Sequence, residues 1–474
     1  MKILFVASEA FPLAKVGGLG DVTSSLAIAL HKLGHEPCLI LPKYRSIKTP
    51  LEEIQGKDFS VDFMGHRQQI ALLMTRLRNR VPVYFVASDT FSRADEIYGR
   101  GELERFLFFS LTVPAAISQL GIHPDIVHCH DWHTALLPLW LREAKMALPC
   151  VFTIHNLAYQ GLFDRDFLLR YGLSPLWQRH IPLEGPRLPL SFLSQGIMLA
   201  DILTTVSPTY ASEILTPQHG EGLEELLDYR RMDLYGILNG IDYDEFNPAT
   251  DACLEANYDS LVIEGRVHNK LALQRKSGLP EDEEVPLFGM VSRLDDQKGI
   301  GLLLQAIDPF VEETRAQLVI LGEGREPYHR SLVEAASRHP GRLSVTIARD
   351  ERLARLIYAG SDVFLMPSQF EPCGLGQLIA MRYGAIPLVR HTGGLIDTVR
   401  DVAELSGNGF VFRNYAASEM MESVKRAEAT FYKRGEWQHL IRRNMKLDFS
   451  WKTSASKYEE VYLRARKTSR IREY

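Results

Sequence analysis

The chain of 474 residues carries 54 Lys and Arg against 59 Asp and Glu, a formal net charge of −5, with 46% hydrophobic and 24% charged residues. That length exceeds what one hydrophobic core supports and predicts two domains, the composition excludes a disordered chain, and the charge argues against general nucleic-acid or acidic-membrane partners. Five cysteines, Cys38, Cys129, Cys150, Cys253 and Cys373, form no C-x-x-C pair, which argues against a disulfide framework or a zinc ribbon and for a reducing compartment. With no secretory leader and no apolar run of membrane-spanning length, the expectation is a soluble cytoplasmic protein.

The first element is an apolar run, Lys2 to Ala7, of parallel-strand character. Lys15-Val16-Gly17-Gly18-Leu19-Gly20-Asp21 follows, and then Val22, Leu26, Ala29, Leu30 and Leu33 recur at helical spacing up to Gly34. A strand, a glycine turn and a helix in succession aim unpaired helix amides above the sheet, where an anion is the natural guest. Lys15 adds a positive charge, so the functional reading is a phosphate or diphosphate site, and the plain one a connecting turn. The run has neither the three spaced glycines of a dinucleotide fingerprint nor a Walker ending, which disfavours NAD and P-loop chemistry.

Further short apolar runs, Glu36 to Leu41, Val81 to Ala87, Ile126 to Cys129, Val151 to Ile154 and Ile202 to Val206, predict parallel strands. Helices are predicted over Glu102 to Leu120, kinked at Pro114, and over Trp132 to Ala147, with irregular surface over Gly161 to Pro189. His128-Cys129-His130-Asp131-Trp132-His133 gathers metal-ligand types at a strand end, but Asp131 stands one place early for the His-x-His-x-Asp-His metallohydrolase pattern. The alternative is that alternate side chains enter the core while Asp131 and Trp132 line a sugar site. Thr153-Ile154-His155-Asn156 is a second strand ending in polar side chains, either ligand contacts or satisfied structural ones.

After the turn Asn239-Gly240-Ile241-Asp242 the architecture repeats, with strands predicted over Pro286 to Val291, Gln317 to Leu321, Leu343 to Ile347, Val363 to Met366 and Ile386 to Val389. Ser292-Arg293-Leu294-Asp295-Asp296-Gln297-Lys298-Gly299 places a guanidinium fork and an ammonium beside a helix start, which suits a diphosphate without a metal; a solvated charged loop is the plain alternative. Phe370-Glu371-Pro372-Cys373-Gly374-Leu375-Gly376-Gln377 sets a carboxylate ahead of glycine amides, either a sugar and phosphate site or a capping segment. His391-Thr392-Gly393-Gly394-Leu395 repeats the glycine theme, and Thr453 to Arg466 reads as a final helix. The domains expected are 1–240 and 241–452, with 453–474 packing back on the first. Two such sheets bind ligands at the carboxyl ends of their strands, so a cleft between them is expected.

In type and order these segments resemble bacterial glycogen synthase and plant starch synthase: Lys15 to Asp21, His130 to His133, His155-Asn156, Asn239 to Asp242, Ser292 to Leu294 with Gln297 to Gly299, Glu371 to Leu375, and Thr392 to Leu395. The resemblance implies an α/β chain with the B-type glycosyltransferase fold, two doubly wound Rossmann-like domains. It implies transfer of glucose, with retention, from ADP-glucose to the non-reducing 4-hydroxyl of an α-1,4-glucan, with no metal and no bound cofactor. By the same carry-over Lys15, Arg293 and Lys298 hold the diphosphate, Glu371 and His155 the glucose, and Asp131 the region where donor and acceptor meet. Gly18, Asp21, Asn239, Cys373, Gly374 and Leu375 complete the donor pocket.

Two positions depart from the family pattern. Ile379 stands where many retaining enzymes of this fold carry a second glutamate, which leaves the ribose contact unassigned, and synthases of this family commonly have an aromatic residue near Arg349 to stack on the base, where an arginine plane can stack too, so donor selectivity stays open. The competing readings are a retaining transferase using UDP-glucose, a glucan-binding protein without turnover, and the metallohydrolase. Because Lys15 and Glu371 fall in different predicted domains, closure around the donor is also expected.

Overall fold

In the computed structural model, which describes residues 1–93, 96–173 and 189–472, the chain divides into two compact units, Met1–Gly240 with Trp451–Tyr474, and Ile241–Ser450. The strands of the first unit are β1 (Lys2–Val6), β2 (Glu36–Pro42), β3 (Glu52–Glu53), β4 (Phe59–Phe63), β5 (His66–Leu77), β6 (Val81–Ala87), β7 (Ile126–His130), β8 (Cys150–Ile154), β9 (Ile202–Thr205) and β10 (Leu234–Gly236). They form one sheet in the order β10-β9-β8-β7-β1-β2-β6-β5-β3, with β4 paired to β5. From β10 to β6 all pairing is parallel. These central strands are largely apolar and, apart from Lys2 at the start of β1, buried on both faces, as helix-covered parallel sheets require.

The other edge corrects the expectation of an all-parallel sheet. β5 runs antiparallel to β6, and β3 and β4 run antiparallel to β5. The β4–β5 connection turns on Met64 and Gly65, both at positive φ, as a two-residue hairpin with the sheet's twist demands. Met-Gly is not the usual composition of such a turn, so the sequence carries little warning of it. The predicted helix over 132–147 is also broken. A 3₁₀ turn, Trp132–Thr134, precedes a separate helix, Leu137–Glu143, which opens with Pro138 in its first turn, where a missing N–H costs nothing. The helix Glu102–Leu120 runs through Pro114 without interruption. Within the segment expected to be irregular, Arg165–Arg170 is a short helix capped by Asp164; residues 174–188 of that segment lie outside those described.

The second unit has β11 (Leu287–Val291), β12 (Gln317–Gly322), β13 (Leu343–Ile347), β14 (Val363–Met366), β15 (Ile386–Arg390) and β16 (Phe410–Phe412). Their order, β13-β12-β11-β14-β15-β16, is parallel throughout. This is the doubly wound order 3-2-1-4-5-6, in which connections leave β11 and β14 toward opposite sides and open a crevice at their carboxyl ends. In the first unit the corresponding reversal lies between β1 and β7. The segments following β1, β7, β11 and β14 are therefore the ones that each fold places over its own crevice.

The last helix, Trp451–Arg472, belongs to the first unit. Its Trp451, Ala455, Tyr458 and Tyr462 are buried in the same core as Ile3, Phe5 and Leu26. Among the described residues no helix is long and apolar enough to cross a membrane.

One packing contact yields a direct stability test. Gly299 has φ +76, and a Cβ there would lie 2.0 Å from the carbonyl oxygen of Pro367. Gly299→Ala is expected to destabilise the second unit by about 2 kcal/mol or more through combined backbone strain and overpacking. Calorimetric melting of the full chain checks this, and an unchanged transition would refute the close approach of these two segments.

Candidate active site

In the first unit the chain leaves β1 through Ser8 and Glu9 and re-enters a helix at Gly18–Lys32, with Gly17 as its uncapped N-cap. The expected anion cradle is partly occupied from within. Glu9 Oε2 accepts the amides of Val16 (2.6 Å) and Gly17 (3.0 Å), and its Oε1 accepts the Tyr98 hydroxyl. Glu9 is buried, which pushes its carboxyl up against the lowering effect of these donors. The amides of Val16 and Gly17 thus face a carboxylate, a correction to the sequence reading. Gly17 supplies no side-chain cap to the first turn, whose amides from Gly18 onward are therefore what the helix offers an anion among the described residues. Lys15 and Asp21 pair at 2.8 Å and remain partly exposed. Glu9 escaped the sequence reading; its only signal is a carboxylate placed directly between a buried strand and a glycine turn.

At the end of β7, Asp131 adopts φ 56 and ψ −179, a sparsely populated backbone state for a non-glycine residue. Its Oδ1 accepts the amide of His155 at 2.8 Å and, more weakly, that of Asn156 at 3.4 Å, both at the end of β8. Burial dominates and pushes the Asp131 carboxyl up to about 7, while those two amides oppose the rise. Burial likewise pushes the His155 imidazole down to about 3. His155 Nε2 contacts His130 Nδ1 at 2.9 Å. Asn239 lies just beyond β10, buried, with its Oδ1 lacking a partner among the described residues.

The remaining members of the histidine cluster are structural. His128 bonds the Tyr462 hydroxyl (2.9 Å) and Thr153 Oγ1 (2.6 Å). His133 packs among Tyr98, Phe106 and Trp132. Among the described residues no set of three His, Cys, Asp or Glu side chains converges as a metal site. Trp132, expected beside Asp131 as a sugar platform, is instead buried edge-on against Phe106.

In the second unit the β11 and β14 segments are tied together: the Gln369 amide donates to the Gln297 carbonyl at 2.8 Å. That contact brings Lys298 Nζ to 2.6 Å from Glu371 Oε2, and Ser368 Oγ donates to the same oxygen at 3.1 Å. Glu371 is buried and Lys298 largely so, their side chains 6% and 19% exposed, which makes this a charge pair of low-dielectric surroundings rather than a solvated one. Arg293 is more exposed and is held by Asp295 (3.1 Å) and Gln297 (3.1 Å). Cys373 is buried, and Gly374 (φ 75) and Leu375 lead into the helix Gly376–Arg382. Gln377 fixes that turn by donating to the carbonyls of Cys373 (3.0 Å) and Gly374 (2.8 Å).

The fold thus gathers Lys15 with Gly18 and Asp21, and Asp131 with His155, on the first unit. On the second it gathers Arg293, Lys298 and Glu371 in adjoining segments ahead of Cys373, Gly374 and Leu375. Ile379, at the position of the missing second carboxylate, is a core residue of its helix. Arg349 lies exposed just after β13.

Both units have matches among known proteins. A family model described as the starch synthase catalytic domain matches residues 2–229, and one described as glycosyl transferases group 1 matches residues 272–437. The chain is 44% identical to the glycogen synthase of Geotalea daltonii over 98% of both chains, and 41% identical to that of Bacillus subtilis over 99% of both. Among solved structures, the catalytic domain of starch synthase IV from Arabidopsis thaliana bound to ADP and acarbose superposes with a TM-score of 0.92 at 35% identity, covering 98% of this chain and 99% of that one.

Proposed function

Since this chain belongs to the family of glycogen and starch synthases, we propose how its residues divide the work of moving a glucosyl group. The chain is a glucosyltransferase that takes a nucleotide-sugar donor and a glucan acceptor, with ADP-glucose as the donor that its relatives' chemistry supports. In the finer reading, the glucose passes with retention to the non-reducing 4-hydroxyl of an α-1,4-glucan. The first unit serves the acceptor side and the second the nucleotide sugar.

The observation that carries the assignment is the Lys298–Glu371 pair. When the bond from C1 to the diphosphate oxygen breaks, its electron pair leaves with the diphosphate and positive character spreads over C1 and the ring oxygen. A largely buried ammonium beside a buried carboxylate suits those two developing charges without reorganisation at the moment of reaction. Lys298, Arg293 and Lys15 then hold the outgoing diphosphate, with Gly18, Asp21, Asn239, Cys373, Gly374 and Leu375 shaping the donor pocket. Glu371 and His155 hold the hexose, and Asp131 stands where donor and acceptor meet.

Glu371 Oε2 already receives two donors, which lowers its worth as a nucleophile and favours its role as an electrostatic partner. The acceptor hydroxyl then attacks the face the diphosphate leaves, and its proton goes to a diphosphate oxygen. Mass spectrometry of enzyme quenched during turnover is expected to find no glucosyl ester; an adduct on Asp131 or Glu371 would establish double displacement instead.

Incubation with ADP-glucose and a maltooligosaccharide primer is expected to release ADP and lengthen the primer. Glucan binding without ADP release would identify a non-catalytic glucan-binding protein. At equal concentrations the initial rate with ADP-glucose is expected to exceed that with UDP-glucose, and the reverse order would defeat the donor assignment.

A further inference from the structure

β7 carries His128 and His130 on one face of the sheet, since residues two apart on a strand point the same way. Both rings are fully buried. His128 is satisfied at both nitrogens, by Tyr462 and by Thr153. His130 is not: its Nδ1 lies 2.9 Å from His155 Nε2, while its Nε2 is buried with no partner among the described residues. Phe5 stacks on the His130 ring at 5.6 Å between centroids, 12° from parallel, and the His128 ring lies 4.2 Å away on centroids, so the ring plane is held.

Burial keeps both imidazoles neutral at ordinary pH, His130 well below its usual range and His155 down to about 3. Two neutral rings in one N···N contact share a single hydrogen, so one donates and the other accepts. If His155 donated, His130 would carry its own hydrogen on the buried Nε2, with nothing to receive it. If His130 donates from Nδ1, only a lone pair is left bare. Buried N–H groups without an acceptor are rarer than buried acceptors without a donor. The second arrangement leaves His155 with its hydrogen on Nδ1, the nitrogen that has no partner among the described residues.

We propose that His130 is a positioning residue that locks His155 in the Nδ1–H tautomer, so that His155 presents a hydrogen-bond donor, and not an acceptor, to an oxygen of the transferred hexose. The proposal rests on the reading of His155 as a sugar contact.

The test uses the full chain labelled with ¹⁵N at histidine, the His155 signals being assigned by their loss in His155→Gln. At neutral pH His155 Nδ1 is expected to be the protonated nitrogen, and a protonated Nε2 overturns the proposal whatever the kinetics. His130→Asn sets an amide nitrogen near the place of Nδ1 and is expected to keep the tautomer and kcat within about threefold. His130→Phe keeps the ring without a donor and is expected to lower kcat by roughly tenfold or more at unchanged acceptor KM, the usual scale for losing the partner that orients a functional histidine. Equal losses in the two variants, or full turnover in His130→Phe, overturn the positioning role. Should both variants fail to fold, the wild-type spectrum alone still decides the tautomer. Full turnover in His155→Gln would refute the sugar-contact reading separately, with the tautomer still read from the spectrum.

Discussion

Lys298→Ala is expected to lower kcat by about 10²–10³-fold, the scale seen when one preorganised group facing developing charge is removed. The same substitution strips the partner from a carboxylate whose side chain is only 6% exposed. Breaking a buried pair from one side costs about 3–5 kcal/mol, so the melting temperature should fall as well. A second variant separates the two effects. In Lys298→Met combined with Glu371→Gln neither charge remains buried, and most of the lost stability should return while turnover stays below that of Lys298→Ala. Melting curves and ADP-release assays on the three proteins check this. If the neutral double variant regained turnover along with stability, the pair would be a structural bridge and the charge assignment would fall.

Asp131→Asn is expected to raise stability at pH 8 while reducing the rate by at least about a hundredfold. In the folded chain the Asp131 carboxyl titrates at about 7 because burial disfavours its charge. In the unfolded chain it titrates near its ordinary value of about 3.9. Below pH 4 both states hold the proton. Between about pH 4 and 7 the unfolded state gives it up first, so each step upward weakens the fold. Above pH 7 both states are ionised, and the accumulated loss is constant at on the order of 4 kcal/mol. Asparagine keeps an acceptor oxygen for the His155 amide, has the shape of aspartate at this backbone position and has no charge to desolvate. Its melting temperature should therefore exceed the wild type's by several degrees at pH 8, with the gap closing toward pH 4.5. An equal gap at both pH values would show that the carboxyl is not the source of the penalty. Activity that survived the substitution would remove Asp131 from the reaction.

Much of the molecule is readable without coordinates, and the reason is the same in each case. The central strands of both units are continuous apolar runs because parallel strands are covered on two faces, and β1, β7, β8, β11 and β14 stand within a residue or so of their predicted limits. Polar residues that interrupt such runs at the carboxyl end, Asp131, His155, Arg293, Lys298 and Glu371, announce themselves by contrast with what precedes them. The antiparallel edge did not stand out in this way, since β5 alternates buried and open positions and its hairpin turns on Met64 and Gly65. The helix expected over 132–147 failed because hydrophobic periodicity does not register a reversed φ at Asp131 or a restart at Pro138.

Chemistry-bearing residue types and their order along the chain are properties of the sequence by itself, and they sufficed for the α/β class and the family. What a side chain faces is not, because partners remote in sequence are chosen by sheet order. Lys298 and Glu371, 73 positions apart in sequence, close to 2.6 Å only because β11 and β14 are neighbours at the point where the winding reverses. Tertiary structure alone likewise turned Glu9 onto the amides of Val16 and Gly17, buried Trp132 against Phe106, and set His130 against His155. Each of these follows from which strands lie side by side and how much room lies between them, quantities that local pattern cannot encode.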